Sequence, residues 1–311
     1  MAELIGYLFT LDALFTWGIA SLVYKFGLGK AEPKAGLLFR LILVSTSTFL
    51  LSLIFGNFSF FSILNSQELI DYLIACLISG LSVTIGDLLY FLSLKKIDAS
   101  RTYPLTQLSL IFVYPFAFIY FGEAITLSIF IGGMLILSSV FILSSKDKTE
   151  KSTPQLEDSH KTKEELIIGV LFAIGTAFFW ALAIVSFNEA RTITGDVFIT
   201  NFIRVAFGTI FFAVLGIFQR EYYSGLKKEN RNKLKFYFYI GIAGSLSLGL
   251  ADSFFYIAAE INGLVLTSTI TANTPMLQQL LSILILKEKF RKRFLIAVGL
   301  IILGNYFIIY L

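Results

Sequence analysis

The sequence predicts an all-α polytopic membrane protein, in which ten transmembrane helices form two inverted five-helix repeats around a central cavity. Composition gives the class: 56% of the 311 residues are hydrophobic and 15% are charged, whereas soluble domains carry about 25% charged residues. The apolar residues form successive runs of roughly 20 residues, the length that crosses a hydrocarbon layer of ~30 Å. The two halves of the chain also repeat each other, which predicts the symmetry.

The repeat is visible in polar and aromatic residues at equivalent places in the two halves. The pairs aligned by an offset of 163 to 165 residues are Trp17 with Trp180, Arg40 with Arg204, Asp87 with Asp252, Thr106 with Thr271, and Glu123 with Glu288. Because each repeat holds an odd number of helices, the second repeat enters the membrane from the opposite face. That arrangement is typical of secondary transporters.

Ten apolar segments are separated by turns rich in charged residues, glycine or proline. They are predicted at 4–27, 35–56, 69–94, 101–121, 125–144, 166–187, 197–218, 235–258, 264–286 and 292–311. Residues 1–145 form the first repeat and 166–311 the second. The segment between them, 146–165, reads KDKTEKSTPQLEDSHKTKEE and is predicted to be a polar linker. The N-terminus lacks a basic region and a cleavage site, so the first apolar run should remain as a helix.

Lysine and arginine concentrate in the loops that follow odd-numbered helices and in the linker. The positive-inside rule therefore predicts a multi-pass protein of the plasma membrane with both termini outside. The net charge of +4 reflects this bias, and no nucleic-acid partner is expected. The single cysteine, Cys76, excludes an intramolecular disulfide framework.

Asp87 and Asp252 each lie about 9 Å inside the ends of their helices, at 1.5 Å per residue. A buried charge at that depth is costly and usually faces a cavity or a partner. The two acids are either a proton-accepting or substrate-binding pair, or protonated carboxyls that hydrogen-bond a neighbouring helix. Arg40 and Arg204 lie one to two turns inside their helices, where snorkelling to lipid headgroups is favoured over an anion-binding site.

The first helix carries Asp12, which shares a face with Thr16 at i,i+4. Asp12 either faces the cavity or marks a hydrated helix end. Trp17 and Trp180 fall well within their helices and are expected to pack or to line the cavity wall.

The fourth and ninth helices carry polar residues and prolines at membrane depth. The fourth reads RTYPLTQLSLIFVYPF and includes Gln107, and the ninth reads TSTITANTPMLQQL and includes Asn273 and Gln278. Proline removes a backbone hydrogen bond, and broken segments at matching positions indicate a midplane site. The alternative is that Asn and Gln join neighbouring helices. Glu123 and Glu288, at the ends of these two helices, are predicted to cap the helices that follow them.

The chain resembles the EamA-like family of the drug/metabolite transporter superfamily. The resemblance is carried by FGEAITLSIFIGGMLIL from Phe121, LKEKFRKRFLIAVGLIIL from Leu286, FTWGIASLVYKFG and FFWALAIVSFNEA, and it covers nearly the whole chain. It implies a basket of ten helices around a cavity that moves a small metabolite by alternating access, with cytoplasmic termini. This chain departs from the pattern in its lysine and arginine bias, and in LKEKF where the first repeat has FGEAI.

The predicted function is secondary transport of small polar metabolites, such as amino acids, sugars, nucleotide sugars or drugs. Transport is proton-coupled or by exchange, with protons as a candidate coupling ion and no cofactor or metal. The residues predicted to form the substrate and proton pathway are Asp12, Trp17, Asp87, Gln107, Trp180, Arg204, Asp252, Asn273 and Gln278. The sequence is compatible with a homo-oligomer without specifying one.

Two other functions are weighed against transport. One is a membrane receptor or assembly protein, which the short loops disfavour. The other is an intramembrane enzyme, which the single histidine, His160, and the single cysteine disfavour. The absence of a GxxxxGK[ST] motif argues against ATP-driven pumping by this chain.

Overall fold

A computed structural model describes residues 2–97, 99–144, 163–226, 232–285 and 292–310. Regular structure within those ranges is helical, without strands. The α-helices are α1 (Ala2–Leu28), α2 (Pro33–Phe55), α3 (Ser66–Lys96), α4 (Ala99–Thr106), α5 (Ser109–Phe121), α6 (Leu127–Ser144), α7 (Lys163–Thr194), α8 (Val197–Phe218), α9 (Leu234–Gly244), α10 (Asp252–Asn262), α11 (Leu264–Thr271), α12 (Thr274–Ile285) and α13 (Lys292–Tyr310). A π-helical segment, Ser245–Ala251, joins α9 to α10.

Seven helical segments in the described ranges are long and apolar enough to cross a membrane. They are Glu3–Leu28, Pro33–Phe55, Ser66–Lys96, Thr102–Phe121, Glu164–Thr194, Val197–Phe218 and Leu234–Asn262. Two shorter apolar helices lie at Leu127–Ile142 and Phe294–Ile308. The structure therefore supports an all-helical, multi-pass protein, and the full count of ten spans stays a prediction.

Within the described residues, a helix of each half is interrupted at an equivalent place. In the first half α4 ends at Thr106 and α5 begins at Ser109, and in the second half α11 ends at Thr271 and α12 begins at Thr274. The hydroxyls of Thr106 and Thr271 donate to backbone carbonyls of the preceding turn, at 2.7 and 3.0 Å. Such bonds satisfy polar groups where water is scarce. The predicted breaks in the fourth and ninth helices are confirmed.

The two halves pack into one another. Helix α1 contacts α9, the π segment and α10, and α7 contacts α3, so the first helix of each half packs on the third transmembrane segment of the other. Helices α6 and α13 pack together where Gly132 meets Gly304. A Cβ on Gly132 would lie 2.6 Å from the Gly304 carbonyl oxygen, so both residues must be small for this approach.

Two large hydrophobic clusters each join residues of both halves: one includes Leu38 and Phe212, and the other includes Leu110 and Phe255. Large apolar side chains such as Leu8, Ile54 and Ile302 are exposed on the outside. An apolar exterior is the surface that lipid requires. Residues 146–162 of the predicted linker and Glu288 lie outside the described residues, and α7 begins at Lys163, within the predicted linker.

Candidate solute-binding cavity

A cavity lined by residues of both halves contains about 980 Å³ of space not filled by protein atoms, a volume that includes open solvent. Its wall includes side chains from α1, α2, α3, α4, α5, α7, α8, α10, α11 and the π segment. Six of the predicted pathway residues line it: Trp17, Asp87, Gln107, Trp180, Arg204 and Asp252. The rest of the wall is largely apolar or aromatic, as in most small-molecule sites.

Three residues in the cavity wall, Arg40, Asp87 and Trp180, form what we call the first cluster. The Arg40 guanidinium forms an ion pair with Oδ2 of Asp87 through Nη1. Nε1 of Trp180 donates to Oδ1 of the same carboxylate at 3.2 Å. Gly86 makes room for the indole, because a Cβ there would lie 2.6 Å from Cδ1 of Trp180. The arginine and aspartate come from the first half, and the tryptophan comes from the second.

The second cluster consists of Arg204, Asp252 and Trp17, and it repeats this design with the halves exchanged. Arg204 forms an ion pair with Oδ2 of Asp252 through Nη2. Nε1 of Trp17 donates to Oδ1 of Asp252 at 3.0 Å. Each carboxylate thus binds an arginine from its own half and a tryptophan from the other half. The clusters therefore join the halves at the cavity.

The predicted snorkelling of Arg40 and Arg204 to lipid headgroups is wrong. Their exposed fractions are only 4% and 1%. Depth in the helix permitted snorkelling, but an acid on the neighbouring helix gives each guanidinium a closer anionic partner. Aromatic rings complete the environment: the Arg40 guanidinium carbon lies 4.9 Å from the Tyr24 ring centroid, and that of Arg204 lies 4.4 Å from the Phe187 centroid. Such contacts favour a desolvated cation.

Asn201 connects the second cluster to the π segment. Its Oδ1 accepts a hydrogen bond from Nε of Arg204 at 2.9 Å. Its Nδ2 donates to the carbonyl oxygens of Leu248 at 3.0 Å and Gly249 at 2.9 Å. A π-helical turn disturbs the regular hydrogen-bond ladder. One buried amide thus binds both the arginine and the irregular backbone beside Asp252.

Hydroxyl groups in the cavity wall differ in how fully they are bonded. The Tyr24 hydroxyl lies 2.6 Å from Oγ of Ser247. The hydroxyls of Tyr90 and Ser268 are buried and have no hydrogen-bond partner. Both also line the cavity. Buried polar atoms normally have a partner, so these two are candidate contacts for a solute or water.

Asp12, Asn273 and Gln278 are not among the residues that line this cavity. Asp12 lies on an exposed part of α1. Asn273 is buried, and its Nδ2 donates to Oδ1 of Asn305 on α13 at 3.1 Å, which is the helix-joining contact weighed as the alternative. Gln278 is buried with 4% exposed. A role for these three residues in the pathway stays a prediction.

Glu123 caps a different helix from the one predicted. Its Oε1 and Oε2 accept hydrogen bonds from the backbone amides of Leu264 and Val265 at 2.9 and 2.8 Å. These amides begin α11 in the second half, whereas α6, which follows Glu123, has the Thr126 hydroxyl at its start. Gly263, with φ of +88°, turns the chain into α11. Glu123 therefore holds the halves together at this end.

Sequence reasoning missed several residues of the site, namely the pairing role of Arg40 and the contributions of Tyr24, Tyr90, Asn201 and Ser247. Two arginines and two aspartates at equivalent membrane depths could have indicated ion pairing, since buried charges need partners. Asn201 precedes Arg204 by three residues, a spacing that places both on one helix face. No cluster of His, Cys, Asp and Glu suited to a metal occurs within the described ranges.

The fold and the cavity define a multi-pass helical membrane protein built from two repeats around an internal polar site. The EamA-like transporter family matches residues 4–145 and 167–310. The chain belongs to that family, which confirms the resemblance seen in the sequence. It is therefore a membrane transporter of the drug/metabolite superfamily, in a family of transporters rather than enzymes.

Comparison with solved structures gives the same fold. Twenty-nine chains in solved structures match this chain significantly. One structure, titled "Crystal structure of protein", has a TM-score of 0.68 and 17% sequence identity, covering 98% of this chain and 95% of its own. At that identity the likeness concerns the fold alone. The comparison with curated proteins gives no significant match.

Proposed function

We propose that the protein is a secondary transporter that moves a small polar metabolite by alternating access through this cavity. One observation carries the proposal: two equivalent clusters, each built from both halves, line the same cavity. A rocking motion of one half against the other would change both clusters together. Inverted repeats with a site at their interface are the usual basis of such motion.

The cavity offers a solute both charges and aromatic surface. Its two arginines and two aspartates balance in charge, and both pairs are buried. Breaking a buried ion pair is costly because it leaves a charge without a partner. A polar solute that supplies a replacement partner lowers that cost, and a proton on the carboxylate lowers it as well. We therefore assign proton coupling to Asp87 and Asp252.

The remaining pathway assignments follow from position in the wall. Trp17 and Trp180 hold the carboxylates from the opposite half, and Gln107 places an amide at the break between α4 and α5. Asp252 is the more accessible acid, with 14% of its side chain exposed against 3% for Asp87. We propose a plasma-membrane location, termini outside as the basic loops indicate, and a protomer able to form homo-oligomers.

Uptake by proteoliposomes tests the proposal. Purified protein would be assayed with and without an imposed proton gradient, against amino acids, sugars, nucleotide sugars and cationic drugs. We expect gradient-driven uptake of at least one class, lost in Asp87→Asn or Asp252→Asn while the variants remain folded. Thr48→Val, in a buried residue that does not line the cavity, is the control. Wild-type coupling in both aspartate variants would remove the acids from the mechanism.

A further inference from the structure

The two clusters are equivalent in sequence position but not in hydrogen bonding. Nε of Arg204 donates to Asn201, whereas Nε of Arg40 is buried without a hydrogen-bond partner. The difference has a simple source. The residue three positions before Arg204 is Asn201, and the residue three positions before Arg40 is Leu37, which is fully buried.

The edges of the two guanidinium groups are used differently. Arg204 places Nη2 on Asp252 and Nε on Asn201, so both nitrogens of that edge are occupied. Arg40 binds Asp87 through Nη1, on the far side of the group from Nε. An arginine edge with two parallel N–H groups is the usual partner of a carboxylate or phosphate. The first cluster therefore leaves one guanidinium donor, Nε of Arg40, without a partner, whereas the second has bonded its equivalent.

A second unpartnered group lies in the same cavity wall. Tyr90 has a buried hydroxyl without a partner, and its equivalent in the second half is Phe255, which has no hydroxyl. Tyr90 and Arg40 both line the cavity. A guanidinium N–H and a phenol O–H can both donate to one anionic oxygen group. At the equivalent positions of the second half, Arg204 and Phe255, the phenol donor is missing.

We propose that Arg40 is the oxyanion-binding residue of the cavity, with Tyr90 as a second donor, and that Arg204 is a fixed structural cation. The ligand is a solute with an aromatic or apolar body and a carboxylate or phosphate group. The oxyanion occupies the Nε edge of Arg40 while Asp87 stays on Nη1, which five N–H donors allow. This inference rests on the proposed transport function and names the chemistry of its substrate.

Thermal-shift titrations of the full-length protein in detergent test the assignment. The probes are benzoate and phenyl phosphate, with neutral benzamide as their control, since a ligand of the folded state raises Tm. We expect one anion or both to stabilise the wild type and benzamide not to. A stronger response to benzoate identifies a carboxylate solute, and a stronger response to phenyl phosphate identifies a phosphate ester. Stabilisation by neither anion overturns the proposal.

Leu37→Asn gives the first cluster an amide at the position equivalent to Asn201, so that its Oδ1 can accept a hydrogen bond from Nε of Arg40. We expect it to weaken anion binding by about tenfold, the loss of one charge-assisted hydrogen bond. Leu37→Met, which changes the same position without a polar group, should bind as the wild type does. Arg40→Lys keeps a cation for Asp87 without the planar edge, and should lose binding to a similar degree even if Leu37→Asn does not fold.

Wild-type affinity in Arg40→Lys, or equal losses in Leu37→Asn and Leu37→Met, would overturn the assignment. The experiments can refute the transport proposal and the role of Arg40 independently of each other. Proteoliposomes that take up a solute without any anion response in the titrations would refute only the role of Arg40. Anion binding that follows these variants, in protein that transports nothing, would refute only transport.

Discussion

Asn201→Leu should destabilise the protein more than a typical substitution in a membrane helix. Asn201 is fully buried. Its amide accepts from Nε of Arg204 and donates to the carbonyls of Leu248 and Gly249. Leucine, the residue found at the equivalent position 37, restores apolar contact and none of these bonds. The variant thus leaves a buried cation and the π-helical backbone short of partners.

The expected loss follows from the number and kind of bonds. A hydrogen bond to a charged group contributes about 1.5–3 kcal/mol, and an unpaired buried carbonyl costs about 1–3 kcal/mol. Measured values inside membranes are lower, around 0.6 kcal/mol on average. We therefore expect a loss of about 2–4 kcal/mol in the free energy of unfolding. At about 2–4 °C per kcal/mol, the scaling for large domains, this lowers Tm by about 4–16 °C.

Thermal unfolding of the purified protein in one detergent measures the effect. Thr209→Val is the matched control on the same helix, because the Thr209 hydroxyl donates mainly within α8, to the Val205 carbonyl at 2.7 Å, with a longer contact of 3.3 Å to the Leu41 carbonyl on α2. Its loss should lower Tm by less than about 2 °C. If Asn201→Leu unfolds at the same temperature as Thr209→Val, the hydrogen bonds of Asn201 to Arg204 and to the π segment do not stabilise the protein as proposed.

Two further substitutions probe the joins between the halves. Gly86→Ala should displace the Trp180 indole, since the new Cβ would lie 2.6 Å from Cδ1. We expect a shift in tryptophan fluorescence and a lower Tm. Gly299→Ala should cause neither change, because no atom lies within 4 Å of a Cβ at that position. Glu123→Ala removes the cap of α11 and should cost about 1–2 kcal/mol in unfolding free energy, with Glu123→Gln losing less; equal stability of Glu123→Ala and the wild type would contradict the capping role.

The repeat pattern predicted much of the site because symmetry and burial act together. Residues that recur at equivalent depths, such as Trp17 with Trp180 and Asp87 with Asp252, line the same cavity. The equivalent breaks in the fourth and ninth helices were also predictable from their polar residues and prolines. These features depend on how far along a helix each residue lies, and residue spacing in the sequence gives that distance directly.

Direction around a helix and pairing between helices were harder to predict. Asp12 lies five residues before Trp17, which is about 140° around the helix, and it is exposed while Trp17 lines the cavity. The partner of Glu123 is α11, some 140 positions further along the chain. Arg40 was expected to reach the lipid headgroups because the sequence gives its distance from the helix end but does not give its partner, Asp87 on α3. Such contacts arise only when the halves pack.

Accessibility of the cavity from each side tests alternating access most directly. The background is Cys76→Ala, which removes the only cysteine, and the reporter is Ser109→Cys, at a partly exposed position of the cavity wall. A membrane-impermeant methanethiosulfonate is applied to right-side-out and inside-out vesicles, with the buried Thr48→Cys as control. We predict modification of residue 109 from both sides and protection of residue 48. Modification from one side only, or from neither, would contradict a pathway that opens alternately to the two faces.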